Sequence, residues 1–542
     1  MREFQPVVLK GTSPAWRPLD WALILALTAI TFAFRAWNLS AEGFADDEIH
    51  KWLAAEKYTH GIFGGDDVEH PMIMKALIAL AILVMPKGSS PEMLTRLPNA
   101  FVGALTVWAI ASLGKRLFGR GPGLIGAMIF ALSAMSIGYG RIGKEDTLLT
   151  LFLVLLMWCF AEAKAAADDR RTGDQAIWEI GAAVSLGLAA SSKYQLFWLP
   201  LLPALYGYLR LSGSAWRVPM SRWIALGLVT ALTVVIFDWA LLMPSTWSYL
   251  AELMTGKPVG DRGTSESYLF MGKLWANLGF QMLRSAPIYY FFVFPAVKLA
   301  PPTVILVGLG LLLAIWRRGV AHGFLMLWLG FFLIVYFVMS VKYARYFQPI
   351  FPVFILLAGY AAAEIATRIR ALNRAVVMTA IGVIVAIPEL YATISHMPHP
   401  RLYINALAGG DSGVDYYYPH CDYFDSGVRE AVQAIAARAE PNAEIAAETG
   451  WPVRYYLDQA GRTDITETTI RPNVACLSGH PCYVISAKGR FYWHNQAALT
   501  RLASTTPWQT INVAEHPVIH IYRIEPGQRL FPPQPIASAG QP

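Results

Sequence analysis

Apolar runs of about 20 residues, repeated from residue 20 to residue 393 with only short charged clusters between them, leave this 542-residue chain few ways to fold. In lipid each run satisfies its own backbone as a helix, whereas in water so much apolar surface could not be covered. The runs lie at 20–38, 97–114, 121–140, 147–163, 176–192, 195–210, 223–243, 301–316, 322–340, 347–366 and 374–393, about eleven spans. Only 15% of the residues are charged, well below the usual quarter for a soluble domain. The first run, WALILALTAITFAFRAW, has no small-residue cleavage site and reads as an anchor.

The net charge of +7 does not point to nucleic acid. Lys and Arg fall in clusters between apolar runs, which is orientation information. Arg2, Lys10 and Arg17 precede the first span; Lys115, Arg116 and Arg120, Arg170 and Arg171, Arg210, Arg217 and Arg222, Arg317 and Arg318, and Arg368, Arg370 and Arg374 follow at alternate connections. All of them face the cytoplasm if the N-terminus is inside, the C-terminus is outside, and residues 71–86 form a juxtamembrane helix that does not cross. The expected organisation is a transmembrane part, 1–393, with a long first outer loop at 39–96. A small extracytoplasmic α/β domain follows at 394–530, then a disordered tail at 531–542. Within that domain SGVREAVQAIAARAE reads as an amphipathic helix, and AEIAAE, CYVISA, WQTINVAEHP and VIHIYRI as strands. Cys159 sits in an apolar run as filler. The spacing of Cys476 and Cys482 allows a small disulfide ring in an oxidising compartment, with Cys421 left over.

Charged groups gather on the outer face. Asp46, Asp47 and Glu48 open the first outer loop in FADDEIHKWLAAEKY, an amphipathic stretch suited to a helix on the membrane surface. Acids in that position also suit a helix N-terminus and nothing more. Glu69, His70 and Lys75 follow in VEHPMIMKAL. Arg141, Lys144, Glu145 and Asp146 share the turn GRIGKED, where capping and snorkelling are the plainer account. Lys193, Lys298, Lys342 and Arg345 run against the inside bias for positive charge, and an anionic headgroup or phosphate would explain them. Asp238, near the outer end of its span, is a weaker candidate. Carboxylates and cations from distant segments on one membrane face are what sugar transfer from a lipid phosphate needs. A carboxylate takes the acceptor's proton, and cations stabilise the departing phosphate.

These elements resemble the GT-C glycosyltransferases of family 39, which include the protein O-mannosyltransferases and the lipid A aminoarabinose transferase. Asp47-Glu48 matches the family's DE pair, and EHPMIMK its HPPLxK element, with Met72 in place of the second proline. GRIGKED resembles the Arg-to-Asp turn. Tyr289, Tyr290, Lys298 and Pro301 are similar to YY…K-x-P, and Arg345, Tyr346 and Pro349 to RY-x-x-P. HPRLYINALAGG resembles the lead into the outer domain. The resemblance implies a GT-C fold and an inverting transfer from a polyprenyl-phosphate sugar to a lipid, glycan or protein acceptor. It sets Asp47, Glu48 and Asp146 as catalytic candidates and Arg141, Lys193, Lys298 and Arg345 as donor-phosphate ligands. Glu69, His70, Lys75, Tyr289, Tyr290 and Tyr343 become substrate-binding candidates. Loop 244–300 is too short for the extra β-trefoil of the eukaryotic enzymes, which favours a bacterial-type protein of the inner membrane over one with a protein acceptor. No cofactor is expected to be required, since Lys298, Arg345 and Arg141 supply positive charge; some relatives hold a divalent ion near the site. The rival reading is a lipid-linked sugar transporter or flippase, but transporters set their charges near the midplane of the bilayer.

Overall fold

The computed structural model describes residues 15–63, 67–194, 196–254, 267–277, 284–470 and 479–526. In chain order its first part runs α1 (Pro18–Ala36), α2 (Asp46–Thr59), α3 (Met72–Val84), α4 (Pro91–Phe118), α5 (Arg120–Leu132), α6 (Ala134–Tyr139), α7 (Asp146–Asp168), α8 (Thr172–Ala190), α9 (Leu201–Leu211), α10 (Met220–Phe237) and α11 (Pro244–Met254). A hairpin of β1 (Ser267–Phe270) and β2 (Lys273–Ala276) follows, then α12 (Tyr290–Lys298), α13 (Pro301–Arg317), α14 (Val320–Val338), α15 (Phe351–Arg368) and α16 (Arg374–Ser395).

Each expected span contains a helix. Of these, α1, α4, α7, α10, α14, α15 and α16 are long and apolar enough to cross a membrane unaided, while α5, α9 with its preceding turn, and α13 are apolar but shorter. The run 121–140 is not one helix. It breaks at Ser133, whose hydroxyl accepts the Ser136 N–H at 3.3 Å and starts α6 afresh. In the same way Ser90 accepts the Met93 N–H at 3.2 Å, so α4 begins ahead of its apolar run.

Small residues let the central helices touch. A Cβ added at Gly114 of α4 would lie 2.6 Å from Gly123 Cα of α5, and one at Gly359 of α15 would lie 2.2 Å from the Pro122 carbonyl oxygen. Backbone contact of this kind is how membrane helices gain dispersion energy without a hydrophobic driving force. Leu113, Leu117, Ile355 and Leu356 fill the space around these crossings. At the periphery α10 buries Thr233 alone and turns its leucines and isoleucines outward, as a lipid-facing helix must.

The C-terminal region adds α17 (Val414–Tyr417), α18 (Pro419–Asp422), α19 (Val428–Arg438), β3 (Glu444–Ala446), α20 (Gly450–Gln459), β4 (Thr466–Thr468), β5 (Cys482–Ala487), α21 (Trp493–Leu502), β6 (Gln509–Val513) and β7 (His516–Ile524). Its sheet has the order β4-β3-β5-β7-β6. β3 lies parallel to β4 and β5, and β7 antiparallel to β5 and β6. The expected helix and strands are all there; β4, α20, α21 and the hairpin of β1 and β2 carry no strong period and were not expected. Cys476 and the tail at 531–542 lie outside the described residues.

This region closes over the segment between α1 and α4. Tyr456 of α20 accepts the Phe44 N–H at 2.7 Å and donates to Glu92 Oε1 at 2.8 Å. Trp451 meets His50 with ring centroids 4.9 Å apart. The amphipathic helix α2 is therefore covered by protein. Its apolar face, with Ile49, Trp52 and Ala55, is buried.

Candidate active site

The site starts from the first turn of α2. Three acids in sequence leave a helix N-terminus in different directions, so Asp46, Asp47 and Glu48 find different partners. Glu48 turns inward. Its carboxylate accepts from Arg96 Nε at 2.9 Å and Nη2 at 2.6 Å, from Gly143 N at 2.7 Å and from Ala45 N at 3.1 Å. Arg96 also donates to the carbonyls of Leu39, Glu42 and Gly43. Burial opposes the charge on Glu48, but Arg96 and the two amides outweigh it and lower its pKa. Glu48 is thus a fully occupied brace that pins the entry of α2 to α4 and to the GRIGKED turn. Gly143 is required there, since an added Cβ would lie 2.8 Å from Thr95 and 3.3 Å from the Glu48 carboxylate.

Asp47 points the other way, with its side chain about a third exposed. Its Oδ2 meets Lys144 Nζ at 2.6 Å and Arg345 Nη2 at 3.5 Å. Burial raises its pKa, yet Lys144 and Arg345 together hold it well below the usual carboxylate range. Burial brings the Lys144 ammonium down to about 8, although Asp47 opposes the fall. Asp46, beside it, is pushed up to about 7 by burial, against the pull of Arg490 and with Asp425 and Asp47 adding to the rise.

The GRIGKED turn is tied down by Asn99, whose amide donates to the carbonyls of Ile142 and Lys144. Its last three residues then fan out. Lys144 goes to Asp47, Glu145 to Lys51 at 3.0 Å, and Asp146, at the start of α7, to Lys193 at 2.6 Å. Arg345 closes the ring: its Nε lies 3.6 Å from Asp146 Oδ2, and its guanidinium stacks 4.3 Å above the Tyr343 ring. Lys193 lies 4.5 Å over Tyr346. Two carboxylates and three cations therefore alternate through Lys144, Asp47, Arg345, Asp146 and Lys193.

Beneath this ring, Asp67 accepts from His70 at 2.7 Å, and His70 Nε2 lies 3.8 Å from Glu145. Lys75 donates to the carbonyls of Asp67 and His70 at 2.8 and 2.9 Å. Burial raises the Glu145 pKa, but His70 and Lys51 outweigh it and bring it to about 2. Asp67, His70 and Glu145 have the donor atoms for a divalent ion, within 4.8 Å of one another. Glu69, beside His70 in the chain, is half-buried.

Other candidates lie in separate networks. Lys298 is buried and donates to Asp422 and to the Arg401 carbonyl, both at 2.6 Å, and Tyr139 completes the Asp422 carboxylate at 2.7 Å. Arg141 donates to the carbonyls of Phe34 and Asn38, both at 3.1 Å, and lines a small cavity with Glu42, Arg96 and Arg401. Tyr290 is packed among Phe270, Phe291 and Tyr418, and Tyr289 is exposed at the start of α12. Of the four cations expected to bind phosphate, the ring includes Lys193 and Arg345 alone. Sequence reasoning gave no role to Lys51, Asp67, Lys144 or Glu145. Lys144 and Glu145 stood in a motif already singled out, and Lys51 and Asp67 in stretches next to others. It also missed His420, Phe424, Asp425 and Arg490. His420 stacks on Tyr343 with centroids 5.7 Å apart, Phe424 lies 6.0 Å from Arg345, and Asp425 accepts the Asp46 N–H at 2.9 Å while gripping Arg490. No local pattern marks these four.

Residues 69–239 match the family model described as dolichyl-phosphate-mannose-protein mannosyltransferase. No curated protein sequence matches the chain. Among solved structures, it is similar to ArnT from Cupriavidus metallidurans in the apo state, with 13% identity, 93% of this chain and 98% of that chain covered, and a TM-score of 0.50. The same protein bound to undecaprenyl phosphate aligns with 13% identity over 93% and 98% of the two chains, at a TM-score of 0.48. The oligosaccharyltransferase of Archaeoglobus fulgidus aligns with 13% identity over 86% of this chain and 69% of that one, at a TM-score of 0.48. The family match spans the EHP element, the GRIGKED turn and Lys193, and the fold is shared with ArnT along nearly the whole chain: this chain has the GT-C fold, with seven helices among the described residues long and apolar enough to cross a membrane.

Proposed function

We propose that the chain is an inverting glycosyltransferase that moves a hexose or pentose from a polyprenyl-phosphate donor to a hydroxyl or phosphate of a lipid, glycan or protein acceptor, on the outer face of its membrane. The observation that carries this reading is Arg345 bridging Asp47 and Asp146, with Lys144 and Lys193 each held on one of those acids. The donor phosphate belongs beside Arg345, Lys193 and Lys144, with Asp146 keeping the first two in place and Asp47 the third until the donor arrives. The acceptor oxygen attacks the anomeric carbon from the side opposite the phosphate. As the new bond forms, the old carbon–oxygen bond breaks with its electrons going to the phosphate, and the acceptor's proton passes to Asp47.

The resting ion pairs weaken Asp47 as a base, because its charge is already satisfied by Lys144 and Arg345. An arriving phosphate competes for those cations and so returns basicity to Asp47. The base is strengthened once the donor is bound, which suits a site that must not act on an acceptor alone. Tyr343 supports Arg345 from below, and His420 and Phe424 from the C-terminal region wall the site. For the orientation, the alternation of basic clusters supports a cytoplasmic N-terminus in a bacterial inner membrane. The test is mass spectrometry of membrane lipids, glycans and proteins from cells with and without the gene. One added sugar that disappears with Asp47→Asn supports the reading; an unchanged glycan profile, with net movement of a lipid-linked sugar between leaflets, would support transport instead.

A further inference from the structure

Below the ring, Asp67, His70 and Glu145 meet from two distant segments of the chain. Each offers one ligand atom, and the three atoms lie within 4.8 Å of one another, with both carboxylates buried. By donor type and spacing this is the outline of a small divalent site. Among the described residues, Asp67 Oδ2 accepts no hydrogen bond, although it and Glu145 Oε1 are both shut away from water. Buried carboxylate oxygens without donors are costly unless a cation faces them.

The cation they face is part of the chain. Lys51 is fully buried, and its Nζ lies 3.0 Å from Glu145 Oε1 and 3.9 Å from Asp67 Oδ2. The same ammonium donates to the Asp47 carbonyl at 3.0 Å, one helical turn back along α2. Lys75 stands 3.9 Å from the same Asp67 oxygen. Two carboxylates are thus matched by two ammonium groups before any metal is counted. A divalent ion on Asp67, His70 and Glu145 would crowd against Lys51 and leave the cluster with excess positive charge in a site of low dielectric. The donor set fits a metal; the set as filled does not.

We propose that Lys51 is the resident cation of this cage: it occupies the place a divalent metal would take, and its removal turns Asp67, His70 and Glu145 into a metal site. The ammonium also couples the cage to the first turn of α2, because the group that neutralises Glu145 holds the Asp47 main chain. The inference concerns the cage alone and stands independently of any sugar transfer.

The test uses the full-length protein in detergent or nanodiscs, with Co²⁺ as the probe. Stoichiometry is read by equilibrium dialysis and elemental analysis, and ligation by visible absorption. Wild type should retain no cobalt at the cage. Lys51→Met keeps an unbranched stem that ends where the Lys51 Cε lies but removes the charged nitrogen, and should gain one cobalt per chain. That gain should vanish in Lys51→Met/Glu145→Gln. Cobalt should also restore thermal stability to Lys51→Met and leave that of wild type unchanged. Cobalt bound by wild type and lost on Glu145→Gln alone would overturn the proposal, since the cage would then accept a metal with Lys51 present. A folded Lys51→Met that takes up none would overturn it equally. If Lys51→Met does not fold, Lys51→Gln and the wild-type measurement carry the same decision.

Discussion

Replacing Asp47 by Asn separates chemistry from binding at this site. The side chain keeps its size but cannot take up a proton, so turnover should fall by about 10²–10⁴, the usual loss of a general base. That range corresponds to roughly 3–5 kcal/mol of transition-state stabilisation. Donor binding should behave differently. Asp47 competes with the donor phosphate for Lys144 and Arg345, at 2.6 and 3.5 Å. Because its side chain is 35% exposed, the pairs are partly screened by water. Each pair of that kind contributes about 0.2–1 kcal/mol, so losing the two should tighten donor binding by no more than about thirtyfold. The assay pairs single-turnover transfer with equilibrium binding of a short-chain polyprenyl-phosphate sugar, on wild type and Asp47→Asn in the same preparation. Near-normal turnover in the variant would refute the assignment and move attention to Asp46 or Asp146. Donor affinity that falls together with rate would refute the account of Asp47 as a competitor for the phosphate ligands.

Glu48→Gln should act on stability: it leaves Arg96 buried without its counter-charge, a change that costs about 3–5 kcal/mol and should lower the unfolding temperature much more than Asp47→Asn does. Lys144 holds its proton below about pH 8, so donor affinity should fall as pH rises through that value; Lys144→Arg should move the fall to higher pH in the same binding assay. Arg345→Ala should weaken donor binding and rate together, the opposite of the Asp47 pattern, whereas Lys298→Met should unfold the protein at lower temperature by stranding Asp422, without a selective effect on donor affinity. A reporter enzyme fused after residue 394 should be active only outside the cytosol; cytosolic activity would reverse the proposed orientation.

The linear order of residues determined the helical membrane fold. Run length and charge spacing are local properties, and lipid imposes the same solution, a helix, on every apolar run long enough to span it. For the same reason the acids of FADDEIHKW and the last acid of GRIGKED could be placed at helix entries, those of α2 and α7. Even the C-terminal helix at Val428–Arg438 and the strands at Cys482–Ala487 and His516–Ile524 follow from their own periodicity. What could not be read in this way is the pairing of charges. Glu48, next to Asp47, becomes a brace because Arg96 and Gly143 reach it from α4 and the GRIGKED turn. Lys298 and Arg141 stand apart from Arg345 because Asp422 and main-chain carbonyls hold them. Lys51 and Asp67 enter the site because α2 and the EHP segment fold against the start of α7. An ion pair depends on atoms within about 4 Å in a medium of low dielectric, and here the partners are often 50 to 300 residues apart. Spacing along the chain carries no information at that range, so which cation neutralises which acid, and which acid is left to do chemistry, was decided by tertiary packing alone.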